Sequence, residues 1–156
     1  MLNNQIRGVL EKYGKQMVMA IQDRLIRDNT NASGNAINSL THEATENTLT
    51  IMGNRYIEAI DQGRGAGKRM PPVVNILEWI KSRGITQMSS TKRKMRDKDL
   101  AWVIARKIAR EGTLKRFGNQ GTNLLGYVTN QYAEPITNEI AELIIKQGLD
   151  VTTNKN

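Results

Sequence analysis

Few stretches of this sequence combine residue type and spacing in a way that could do chemistry. Gly63-Arg64-Gly65-Ala66-Gly67-Lys68 superficially resembles a phosphate-cradling loop. A Walker A loop wants glycine five positions before its Gly-Lys pair and Ser or Thr after it. Gln62 and Arg69 stand at those positions, two prolines soon follow, and no convincing buried parallel strand precedes the run. Nucleotide binding is therefore not expected, and the glycines are read as keeping a connecting loop flexible. His42 is the only histidine, so a multi-histidine zinc site or metalloprotease helix cannot be built from one chain. A Ser-His-Asp triad is formally possible, but no Gly-x-Ser-x-Gly turn accompanies it, and His42 is expected to be packed or solvated. Glu58 with Asp61, and Glu139 with Glu142, would lie one turn apart on helices. That spacing is ordinary on solvated faces, and no third group beside either pair suggests a perturbed pKa or a two-metal site. The expectation is a protein with no catalytic, cofactor or metal site.

Charge is the stronger signal. The formal net charge is +8, but residues 64–116 hold fifteen Lys and Arg against Glu78, Asp97, Asp99 and Glu111, leaving +11 there and −3 elsewhere. Two readings stand: a face toward a polyanion, with nucleic acid foremost, or a solvated basic face that aids solubility or meets an acidic partner. The run Lys92 to Lys98 and the patch Arg106, Lys107, Arg110, Lys115 and Arg116 could contact phosphate. With seven aromatic residues and no RNP-type or helix-turn-helix pattern, base readout is poorly supported, and non-specific duplex contact is the most these charges justify. Trp79 and Trp102 are expected to anchor a core or an interface rather than stack on a ligand.

At 156 residues the chain fits one domain, with residues 1–149 as its body and 150–156 expected to be a disordered tail. Cysteine is absent, which removes disulfides and thiolate chemistry and suits a reducing cytosol. No stretch approaches the roughly 20 apolar residues of a membrane span, and Asn3, Asn4 and Gln5 are polar where a signal peptide would be basic and then apolar.

The elements that must carry these residues follow from periodicity. Leu2, Ile6, Leu10, Tyr13, Met17, Ile21 and Leu25 recur at spacings of three and four, which predicts an amphipathic helix over residues 2–28. Gly8 and Gly14 each weaken it by about 1 kcal/mol relative to Ala, so packing must support it. Ala36 to Thr45 reads as a strand, pairing with the alternating Thr48-Leu49-Thr50-Ile51-Met52 in an antiparallel hairpin. A short apolar element at residues 55–62 follows. Pro71 and Pro72 predict a helix start, with Val73, Ile76, Leu77 and Ile80 on its buried face. Leu100, Val103, Ile104 and Ile108 predict another helix, with Ala101 and Ala105 permitting close approach and Gly112 ending it. Residues 113–129 read as a flexible arm or hairpin, and a final helix is expected from Pro135 to Gln147, stopped by Gly148. The fold class predicted is α+β: a long N-terminal helix and an antiparallel hairpin, packed by three further helices.

In order and spacing, several segments resemble the tail-completion, or head-to-tail joining, family of tailed bacteriophages. They are Ser33-Gly34-Asn35-Ala36-Ile37-Asn38-Ser39-Leu40, Tyr56-Ile57-Glu58-Ala59-Ile60-Asp61-Gln62-Gly63, Pro71-Pro72 leading to Ile76-Leu77-Glu78-Trp79-Ile80, and Leu100 to Ile108 closing on Gly112-Thr113. The resemblance covers residues 30–117, and the basic insertion Thr91 to Lys98 and the glycine-rich region Arg116 to Gly126 depart from many members. It implies a structural virion protein: a homo-oligomeric neck ring around the DNA channel at the head-tail junction, assembled in the bacterial cytoplasm. Adaptor, stopper and terminator rings are all compatible with it. Implied partners are other neck, portal or tail proteins, with non-specific contact to genomic double-stranded DNA and no membrane. Loops 64–70, 86–98 and 113–127 would then meet neighbouring subunits or rings, through Arg64, Lys68, Arg69, Lys115, Arg116 and Phe117. Arg93, Lys94 and Arg96 would meet DNA if their loop lines the lumen. The alternative reading is a free, non-specific DNA-binding accessory protein, and a third is a small hydrolase dependent on His42.

Overall fold

A computed structural model describes residues 2–28, 34–85, 95–113 and 121–153. The order is α1 (Leu2–Arg27), α2 (Asn35–Asn38), β1 (Thr41–Ala44), β2 (Leu49–Met52), α3 (Tyr56–Gln62), α4 (Val73–Ser82), α5 (Asp97–Glu111) and α6 (Leu124–Thr153). The class is α+β, as the sequence predicts. The three- and four-residue spacing of α1 turns Leu10, Ile21 and Leu25 fully inward, with Leu2, Ile6, Tyr13 and Met17 half-buried along the same stripe. This stripe packs against α6 and against the hairpin. One core joins Ile21 and Leu25 of α1, Ala36, Leu40, Ile57, Ile60, and Leu124 and Val128 of α6. Burying each Leu or Ile there contributes about 1.5–3 kcal/mol.

The strands pair antiparallel, His42 opposite Ile51 and Ala44 opposite Leu49. Alternation turns these four toward α1 and leaves Thr41, Glu43, Thr50 and Met52 exposed, so a two-stranded sheet gains the helix it needs. Gly14 makes the approach possible: a Cβ there would stand 2.5 Å from the His42 ring and 2.8 Å from Leu49 Cδ1, whereas a Cβ at Gly8 meets nothing. The two glycines of one helix should therefore respond oppositely. Gly8→Ala is expected to stabilise by about 1 kcal/mol, while Gly14→Ala destabilises by roughly 1–2 kcal/mol as overpacking outweighs propensity; urea titration of both variants checks the difference in sign.

Two expectations about elements are corrected. Residues 36–40 are not strand, for α2 occupies Asn35–Asn38 and β1 begins only at Thr41. Gly34, at φ 77°, turns the chain into α2. The Ser39 hydroxyl then donates to the Ala36 carbonyl at 2.8 Å, and Leu40 N–H to the Ile37 carbonyl at 3.2 Å. Such local bonds compete with strand pairing, and the apolar spacing Ala36, Ile37, Leu40 suits a helical turn. The last helix, in turn, starts at Leu124 and carries Pro135 inside it, then runs through Gly148 to Thr153. An interior proline costs about 3 kcal/mol. Leu124, Val128 and Tyr132, packed into the core on the N-terminal side of Pro135, offset that cost.

α4 and α5 pack on each other, with Ile80, Ala101 and Ala105 buried between them. Small side chains at 101 and 105 let the helices approach, as expected. Val103 was expected on the buried stripe, yet it is 43% exposed. The packed face is set by Ala101 and Ala105 together with Ile104 and Ile108, and Val103 falls outside that arc.

Candidate assembly surface

The glycine-rich run 63–67 is not a free connection. Its backbone crosses the C-terminal end of α5. There Gly67 N–H donates to the Ala109 carbonyl at 2.9 Å, Thr113 N–H to the Arg64 carbonyl at 2.7 Å, and Arg64 N–H to Thr113 Oγ1 at 2.9 Å. Gly112, at φ 70° and ψ −169°, closes the helix beneath this crossing. The flexible loop of the sequence reading is therefore a docked one, because carbonyls and N–H groups at the helix end take loop partners.

The start of α6 is tied in the same way. Thr122 N–H donates to the Ile60 carbonyl and Asn123 N–H to the Asp61 carbonyl, both at 3.0 Å. Leu125 N–H donates to Asp61 Oδ1 at 2.8 Å. Asp61, read from sequence as one of a solvated carboxylate pair, thus satisfies a free N–H in the first turn of α6. No local signal marks this role, since donor and acceptor are 64 positions apart. Residues 121–127 are accordingly docked backbone and helix rather than a flexible arm.

The expected contact residues divide by these ties. Lys68 and Arg69 are exposed on the docked loop, and Arg64 is half-buried with Nη2 donating to the Arg69 carbonyl. Exposed Arg106 and Arg110 lie on the helix that this loop crosses, so one end of the α4–α5 pair gathers positive charge. Arg96 is held by Asp99, Nε to Oδ2 at 2.9 Å and Nη2 to Oδ1 at 3.3 Å, while its side chain stays 84% exposed. Hydrogen bonding to Arg96 holds the Asp99 carboxyl below its usual value. Arg93, Lys94, Lys115, Arg116 and Phe117 lie outside the described residues.

Elsewhere, polar contacts fasten α1 to its neighbours. Glu139 of α6 accepts from Lys12 and, at 3.0 Å, from the Tyr13 hydroxyl. The Lys12 ammonium chiefly depresses the Glu139 pKa and has its own raised in return. His42 Nε2 lies 3.0 Å from Glu11 Oε1, and this hydrogen bond is the main cause lowering the Glu11 pKa. His42 is thereby occupied in joining the sheet to α1. An open groove of about 290 Å³ between α1 and α6 includes Arg24 and Tyr127, but Arg24 bonds Asp28 at 2.8 Å and sits 5.0 Å over the Tyr127 ring. Among the described residues no group of three His, Asp or Glu could hold a metal, and no helix is long and apolar enough to cross a membrane.

What the described surface does present is apolar. Fourteen large hydrophobic side chains are exposed, as many as the fourteen hydrophobic residues that are buried. They include Trp102 at 46% on α5 and Ile144 and Ile145 at 51% and 62% on α6. Exposed apolar residues scattered singly are normal, but stripes of them along helices mark contact surfaces. Neither family models, nor curated proteins, nor solved structures yield a match to this chain.

Proposed function

We propose that this chain is a structural virion subunit of a tailed bacteriophage, forming a homo-oligomeric ring in the head-to-tail connector around the DNA channel. The segments from Ser33-Gly34 to Gly112-Thr113 support the phage assignment through the family resemblance of their sequence order and spacing. The observation that carries the assembly role is the outward apolar surface of α5 and α6, which holds Trp102, Val103, Leu125, Tyr127, Ile144, Ile145 and Leu149, half of the fourteen exposed large hydrophobics among the described residues. A chain that leaves this much uncovered gains stability from sheltering it in a neighbour. The basic α4–α5 pair fits non-specific contact with passing duplex, since phosphate contact needs charge and no base-reading aromatic platform.

Negative-stain microscopy of the purified full-length chain should show closed rings, and mature particles should contain the protein. Reversing Arg93, Lys94 and Arg96 to Glu should leave the rings intact while impairing genome retention. A compact monomer at high concentration that is absent from particles refutes the reading. Tight duplex binding by that monomer, weakening steeply with salt, would instead establish the DNA-binding accessory protein.

A further inference from the structure

Two helical stripes on different parts of the molecule complement each other. On α5, Trp102, Val103, Arg106 and Arg110 fall within about 100° of arc, opposite Ala101 and Ala105, and all four are exposed. The Arg106 guanidinium lies 5.2 Å from the Trp102 ring centre, a cation held over an aromatic face. On α6, exposed Ala141, Ile144 and Ile145 share a face with Glu134 and are flanked by Glu142, directly opposite Tyr132 and Leu143 on the side toward α1.

The stripes also differ in charge. Residues 64–85 and 95–113 hold ten Lys and Arg against four Asp and Glu, whereas residues 124–149 hold Glu134, Glu139 and Glu142 against Lys146 alone. Glu139 is neutralised within the chain by Lys12. Within one copy, α5 packs on α4 and α6 on α1. The basic apolar stripe and the acidic apolar stripe are thus both open to another molecule.

We propose that the α5 stripe of one copy packs on the α6 stripe of the next, Trp102 and Val103 against Ile144 and Ile145, with Arg106 facing Glu142. The pairing rests on the ring assignment above and specifies its subunit contact. Because the two patches differ, the contact is head-to-tail, and repetition closes a ring when the rotation between copies allows it. Trp and Arg at its centre are the side chains that dominate such interfaces.

The test uses two full-length variants, one carrying Trp102→Asp with Arg106→Glu, the other Ile144→Asp with Ile145→Asp. All four positions are exposed, so each variant should keep the wild-type circular dichroism, and its unfolding midpoint should match that of wild type diluted below its association range. Each should sediment as a monomer, self-association weakened at least about thirtyfold. Mixed, they should give a one-to-one dimer and nothing larger, since each retains the face the other lacks. In a separate chain, Arg106→Glu should impair ring formation and an added Glu142→Arg should restore it. Rings that persist in either variant, a mixture that stays monomeric, or a charge swap without rescue overturns this contact while leaving the ring assignment standing. A wild-type chain that never associates overturns both.

Discussion

Gly112→Ala should cost this protein about 3–5 kcal/mol, lowering the melting temperature by roughly 10 °C or more. Two effects combine. At φ 70° and ψ −169° the backbone lies in a region that residues with a Cβ essentially do not enter. The added Cβ would also stand 2.4 Å from the Arg64 carbonyl oxygen, 2.6 Å from Gly65 C and 2.7 Å from Ala66 N. These are backbone atoms and cannot rotate aside. Relief requires residues 64–67 to lift from α5, breaking the Gly67 to Ala109 bond and both Arg64 to Thr113 bonds at about 1 kcal/mol each. Gly65→Ala is the control: it lies in the same crossing, but a Cβ there meets nothing, so its effect should stay within about 0.5 kcal/mol. Thermal unfolding of the pair decides the matter, and equal effects would mean that the loop is not docked.

This contrast also marks where the sequence is legible. Periodicity exposes α1, α4 and α5 because each buries one continuous face and leaves the other to solvent, and alternation exposes β2 for the same reason. Gly112 is readable as a helix stop, since a C-terminal glycine is a local signal. That the earlier glycine-rich run 63–67 lies on top of it is not readable, because the crossing pairs residues 49 positions apart. The same distance problem hides Asp61, whose neighbour Glu58 suggests a solvated pair while its partner N–H belongs to Leu125. Pro135 misleads in the other direction: local rules put a helix start there, and tertiary burial of Leu124 and Val128 extends the helix eleven residues before it. Trp102 is expected from sequence to anchor a core or an interface; the two alanines dock on α4 and leave it 46% exposed, outside the core. That choice of face belongs to packing and has no local signal in the sequence.

Leu124→Ala should be the most damaging truncation in the core, about 2–5 kcal/mol and toward the upper part of that range. Leu124 has no exposed surface and sits among Ile21, Leu25, Ile57, Ile60 and Val128. The cost of a cavity depends on how far its walls collapse, and here they are held. On either side of Leu124, Asn123 N–H is bound to the Asp61 carbonyl and Leu125 N–H to the Asp61 side chain. The helix therefore cannot slide inward without giving up its tie to α3. Ile145→Ala removes comparable apolar bulk from the same helix, where the side chain is 62% exposed, and should change folding stability by less than about 0.5 kcal/mol. Its effect should fall on association instead, shifting the sedimentation profile toward monomer. Urea unfolding of dilute, dissociated protein and sedimentation at high concentration separate the residues that make the subunit from those that join subunits: Leu124→Ala lowers the dilute midpoint and loses assembly only as the fold is lost, while Ile145→Ala loses assembly with the dilute midpoint unmoved. If Ile145→Ala instead lowers the midpoint as far as Leu124→Ala does, that face of α6 is core, and the chain has no apolar stripe to offer a second copy there.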